Sequence, residues 1–95
     1  MREKKKIFEK DFEIRNKQGL HARPAALFVQ TANQFESVIE IIKDDSVVSG
    51  KSIMGIMTLA AETGSTVTVR IQGADAESAM NAVEKLFESN FGEAE

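Results

Sequence analysis

The chain has 95 residues, 42% hydrophobic and 28% charged, a balance that fits one domain over residues 1–95, with a core from about 6 to 89 and short charged termini, and excludes disorder. It has no cysteine and one histidine, which excludes disulfides, thiolate metal sites and the usual zinc spacings, so no metal or cofactor is expected. A net charge of -3 at pH 7 lacks the basic footprint of a general nucleic-acid binder, and the absence of an apolar leader or of a run near the roughly 18 residues of a membrane span reads as cytoplasmic, with no membrane insertion.

Lys4 to Lys6 read as a solvated leader. From Lys6 to Ile14, apolar residues fall at Ile7 or Phe8, then at Phe12 and Ile14, an imperfect period of two that predicts a strand. Arg15 to Gly19 form the loop that follows. From Ala22 to about Asn33, Ala22, Ala25, Ala26, Val29 and Ala32 recur at helical spacing, with Pro24 in the first turn, where its missing N–H removes no intrahelical bond. Ser37 to Lys43 and Val47-Val48 predict two short strands joined by a tight turn at Asp44-Asp45. Ser52 to Ala60 predicts a short helix capped by Ser52, with Ile53, Ile56, Met57 and Ala60 on one stripe.

Thr66 to Ile71 alternates threonine with valine, the clearest strand in the chain. Asp75 is placed to cap the longest helix, Ala76 to about Ser89, whose stripe is Ala79, Ala82, Val83, Leu86 and Phe87. Gly92 to Glu95 read as a frayed acidic tail. The order βαββαβα predicts an α+β open-faced sandwich, a four-stranded antiparallel sheet with three helices on one face.

Gly19-Leu20-His21-Ala22-Arg23-Pro24 places the single histidine immediately before a helix, with an arginine two residues on. The first N–H groups of the helix and the positive end of its dipole favour an anion there, and they favour a neutral ring with a lone pair available for attack on phosphorus. Histidine is the side chain whose ordinary pKa, about 6.5, makes it a usable nucleophile near neutral pH. Arg23 adds a permanent planar charge able to pair with phosphate oxygens. Gly19, Ala22 and Pro24 support the turn. On spacing alone, a lone histidine is more often a capping or surface residue.

The heptad Gly19 to Ala25 resembles the active-site signature of the HPr family, the histidine-containing phosphocarriers of the bacterial phosphoenolpyruvate-dependent sugar phosphotransferase system. Gly50-Lys51-Ser52-Ile53-Met54-Gly55-Ile56-Met57 resembles the family's second motif, and length, element order and motif separation agree from about Lys6 to Ser89. The resemblance implies an HPr-like fold and a phosphohistidine at His21, on the ring nitrogen nearer the backbone. It also implies that Arg23 steadies the phosphoryl group, that enzyme I supplies it and that IIA components receive it. Such a protein is a transferase component that turns over only with its partners, here expected to be a monomer.

Gly50-Lys51-Ser52 matches the end of a phosphate-binding loop, but Asp45 stands where the earlier glycine is required, so a nucleotide site is rejected. Serine at a helix start has a sufficient role as a cap. The resemblance adds regulatory phosphorylation of Ser52 by an ATP-dependent HPr kinase/phosphorylase, with a transcriptional regulator as a further partner of the modified form. Leu27 and Phe28 lie off the alanine stripe of the first helix, and Met54 lies off that of the second. By resemblance, Leu27, Ile53, Met54 and Met57 form the partner-binding surface, where methionine suits several partners. Gln30 and Asn33 stand where many relatives carry basic residues, which weakens steering toward acidic partners.

Three alternatives stand beside this reading. One is a regulatory binding module of the same fold that acts through Ser52, as in relatives that have lost the active histidine. Another is a carrier in a nitrogen-regulating branch of the same system, with the same site. The third is a small RNA-binding fold of βαββα order, disfavoured because the Thr66 to Ile71 strand has no aromatic residue and the chain is acidic.

Overall fold

In a computed structural model that describes residues 6–93, the elements run β1 (Lys6–Glu13), α1 (Ala22–Ala32), β2 (Val38–Lys43), β3 (Ser46–Ser49), α2 (Ile53–Thr58), β4 (Thr66–Gly73) and α3 (Ala76–Glu88), followed by a 3-10 turn at Asn90–Gly92. Lys4 and Lys5 of the expected leader and residues 94–95 of the expected tail lie outside the described residues. Lys6 does not belong to a leader; it opens β1, opposite Gly73. The four strands pair antiparallel in the order β1-β4-β2-β3, with the three helices on one face, as the element order predicts.

Residue alternation decides what each face of the sheet carries. Phe12, Ile39, Ile41, Val67, Val69 and Ile71 point from the strands into the core, where they meet Ala25, Phe28, Val29 and Ala32 of α1, Ile56 of α2, and Ala79, Met80, Val83 and Phe87 of α3. On the opposite face Arg70 of β4 lies between Glu9 of β1 and Glu40 of β2, with Nε 3.3 and 3.8 Å from their carboxylates. The imperfect period of β1 has a physical cause. Lys10 takes an inward position between Phe8 and Phe12, sets its ammonium 5.6 Å from the Phe12 ring centroid and pairs with Glu84 of α3. Ile7 faces outward and is 60% exposed.

Several boundaries and faces differ from the sequence expectation. The second helix ends at Thr58 rather than Ala60; Ala60 has a left-handed φ of 52° and is exposed, and the core receives Ile56, Leu59 and Ala61. Phe28 is not a surface residue but fully buried, its ring edge-on to Phe87 at 6.5 Å. Gly50 makes room for it, since a Cβ there would lie 2.8 Å from Phe28 Cε1. Glu93 of the expected frayed tail is instead bonded to Asn16 and Lys17, and just before it Phe91 is 3% exposed and packs edge-on against Phe87, with ring centroids 5.0 Å apart. Phe87 in turn stacks on Phe12 at 4.3 Å.

Asp75 begins α3 but does not cap it with its side chain. Its carboxylate turns to the α1–β2 connection, where it accepts from the backbone N–H groups of Glu36 at 2.9 Å and Ser37 at 3.0 Å and from the Ser37 hydroxyl. Three converging donors outcompete the single N–H that a cap would use; the helix receives only the Asp75 carbonyl, bonded to the Ala79 N–H at 3.0 Å. The close approach needs Gly73, where a Cβ would fall 2.4 Å from Ser37 Oγ. The Ser37 hydroxyl first, then the Glu36 N–H, hold the Asp75 carboxyl below the ordinary aspartate value.

A folded-state pKa that is depressed contributes stability above the unfolded value, and that stability is lost as pH falls through the folded value. Asp75→Asn is therefore expected to lower the urea midpoint at pH 7, and the gap to wild type is expected to close below about pH 4, near the ordinary aspartate pKa. A gap independent of pH would show that the carboxylate charge is not what holds the α1–β2 connection.

Candidate functional site

His21 occupies the N-cap position of α1, with extended backbone at φ -105° and ψ 158°. Its ring makes no capping hydrogen bond and is partly exposed. On one side Leu20 is fully buried, and on the other Pro24 and Ala25 are buried. The imidazole is thus carried at the surface by a segment anchored before and after it. Arg23 is exposed, and no carboxylate lies within ion-pair distance of it among the described residues. Its five N–H donors are open to an incoming anion.

The backbone that presents the ring is fixed by polar contacts. The Leu20 N–H donates to the Ala61 carbonyl at 2.9 Å, and Ile14, the residue after β1, exchanges bonds with the 64–65 turn. Gly19 has φ 62°, and a Cβ there would lie 2.4 Å from the Ala61 oxygen, so the residue answers both to a left-handed backbone and to a close approach. Asn16, 3% exposed, donates from Nδ2 to the Gly19 carbonyl at 2.8 Å. Ala22, expected to be an ordinary first helical residue, has φ 44°. A left-handed alanine costs roughly 1–2 kcal/mol, and here the strain sits directly after His21.

Asn16, Leu20, Ala61 and Glu93 are the supporting residues that sequence reasoning missed. Only Asn16 carried a signal, as an Asx-type turn residue three positions before a glycine. Gln18, Arg23 and Pro24 line a cleft of about 70 Å³ together with Phe91, Gly92 and Glu93.

The second motif starts where β3 ends. Gly50 N–H donates to the Ile39 carbonyl at 2.7 Å, and Lys51 Nζ to the Phe35 carbonyl at 2.7 Å. Ser52 caps α2 as expected: its Oγ accepts from the Gly55 N–H at 3.0 Å while its carbonyl accepts from Ile56. Beyond it, Ile53, Met54 and Met57 are 42%, 73% and 38% exposed, whereas Leu27 is half-buried against the core. The first three form an exposed apolar rim on α2; Leu27 contributes less surface.

The first motif opens α1 and the second opens α2, and these two helices pack against each other on the covered face of an open-faced sandwich. Residues 8–89 match the family model described as PTS HPr component phosphorylation site. Phosphocarrier protein HPr of Neisseria meningitidis serogroup A is 47% identical over 89 residues, which cover 94% of this chain and 100% of that relative. HPr-like protein Crh of Bacillus subtilis is 51% identical over 80 residues, or 84% of this chain and 91% of that relative. The crystal structure of HPr-C-His from Thermoanaerobacter tengcongensis matches with a TM-score of 0.90 at 52% identity, covering 93% of this chain and 99% of that one. The chain belongs to the HPr family of the phosphotransferase system, whose members work with enzyme I and IIA components.

Gly19→Ala tests how tightly the His21 segment is seated. The methyl group meets a backbone oxygen in a conformation alanine disfavours, so a loss of about 1–3 kcal/mol in unfolding free energy is expected, with faster hydrogen exchange at the Leu20 amide. Wild-type stability and exchange in this variant would show that the segment adapts freely.

Proposed function

We propose that His21 accepts a phosphoryl group from phosphorylated enzyme I and passes it to IIA components of the sugar phosphotransferase system. The observation that carries this reading is the phosphorylation-site match over residues 8–89, whose span includes the chain's single histidine at the start of α1, beside an uncommitted Arg23. A ring-nitrogen lone pair attacks phosphorus, the new N–P bond forms as the donor's bond to phosphorus breaks, and the donor leaves with the electron pair. Transfer to the acceptor is the same displacement in reverse. Arg23 and the N–H groups at the start of α1 balance the charge on the phosphoryl oxygens, which is most of what such a transfer asks of a protein. Gly19, Ala22 and Pro24 support the turn, and no cofactor or metal takes part. Ile53, Met54 and Met57, with Leu27 at the margin, form the docking surface for successive partners. The carrier is assigned to the cytoplasm as a monomeric, single-domain protein.

Incubation with enzyme I, Mg²⁺ and phosphoenolpyruvate is expected to place one acid-labile phosphate on the wild type and none on His21→Ala. Label that survives this substitution removes His21 from the reaction. Arg23→Ala is expected to slow transfer about tenfold or more, the scale of a lost hydrogen bond to a charged group.

A second reading, regulation through Ser52, draws on the similarity to Crh and on the exposed rim beside the cap. Phosphate on Ser52 adds close to two negative charges next to Ile53 and Met54, changing the docking surface without touching the core. An HPr kinase/phosphorylase would write this mark and a transcriptional regulator would read it. With ATP and such a kinase, an acid-stable phosphate is expected on the wild type and not on Ser52→Ala. An unmodified wild type in the presence of a kinase active on another HPr would end the regulatory reading. A chain labelled only at Ser52 would instead be a regulatory module, and partners from a nitrogen-regulating branch would move the carrier there with its site unchanged.

A further inference from the structure

The polypeptide after α3 reaches the His21 loop and bonds to it. Glu93 Oε2 accepts from Asn16 Nδ2 at 2.8 Å, and Oε1 accepts from the Lys17 backbone N–H at 2.9 Å. Asn16 Nδ2 also donates to the Gly19 carbonyl at 2.8 Å, so both hydrogens of a buried amide are committed, one to the loop and one to Glu93. The segment that brings Glu93 there is itself anchored. Asn90 and Phe91 hold left-handed φ values of 53° and 56°, which turn the backbone after α3, and Phe91 is buried against Phe87. Glu93 and Arg23 line the same cleft, yet the carboxylate is turned to Asn16 and Lys17 rather than paired with the guanidinium.

We infer that Glu93 is a positioning residue for phosphotransfer at His21: its carboxylate straps the Asn16–Gly19 loop into the conformation that presents the ring and leaves Arg23 open to phosphate. The inference rests on the phosphocarrier reading above. Loss of the carboxylate leaves the Lys17 N–H and one Asn16 hydrogen without their partner, and the loop then samples other conformations. A reacting group displaced by as little as about 1 Å loses a large part of its rate.

Phosphorylation by enzyme I is measured on wild type, Glu93→Ala and Glu93→Gln, alongside thermal unfolding and hydrogen exchange at the Lys17 amide. Glu93→Ala is expected to lower kcat about tenfold with KM for the carrier unchanged. Its Lys17 amide exchanges faster and its melting temperature stays near that of wild type. Glu93→Gln keeps one acceptor oxygen and falls between the two. Equal rates in a folded Glu93→Ala, or a change confined to KM, overturn the strap, the latter because it marks a docking role. If Glu93→Ala fails to fold, a folded Glu93→Gln with wild-type kcat overturns it equally. An unlabelled wild type defeats the phosphocarrier reading and the strap with it, whereas a labelled wild type matched by Glu93→Ala defeats the strap alone.

Discussion

Phe87 is the residue on which the arrangement of this molecule turns. From α3 it stacks on Phe12 of β1 and meets Phe28 of α1 and Phe91 of the final turn edge-on, so one ring touches the element before the His21 loop, the helix after it and the segment that closes over it. Offset and edge-on aromatic pairs carry directional preference as well as buried area. That preference fixes relative orientations that aliphatic packing alone would leave looser. The loop between β1 and α1 can therefore be short and polar: its ends are set by the core and its interior by hydrogen bonds.

Local pattern was enough for the elements whose environment repeats along the chain. The Thr66 to Ile71 alternation matches a strand with one face in the core, and the antiparallel order follows once four such segments are interleaved with three amphipathic helices. What escaped was set by partners distant in sequence. Asp75 looked like a cap because its neighbours in sequence form a helix, but its carboxylate answers to Glu36 and Ser37. Lys10 broke the period of β1 for the sake of Glu84. Phe28 is a different kind of miss, since it stands three residues after Ala25 and four before Ala32, both buried, and helical spacing alone assigns it to the core.

At the candidate site, His21, Arg23 and Ser52 stood out because the chemistry proposed for them is local: an imidazole, a charge and a hydroxyl at helix starts. Apart from Asn16, the residues that hold the His21 loop were silent. Leu20 reads as any leucine, Ala61 acts through its carbonyl, and Glu93 lies in an acidic tail whose composition suggests fraying. Sequence names side chains with distinctive chemistry more readily than the backbone that holds them, because that backbone depends on contacts such as the one between Asn16 and Glu93, 77 positions apart.

The rung of Glu9, Arg70 and Glu40 across the uncovered side of the sheet has a consequence for company rather than for folding. Any second sheet laid against that side would have to strip water from three charges at once, a cost that their mutual attraction does not reliably repay. Ile7 and Val38, 60% and 61% exposed, lie in the next rung on the same face, either side of Gln72. This side of the sheet is thereby made unattractive to stacking. Encounters are left to the helical side, where α1 carries His21 and α2 carries its exposed apolar residues.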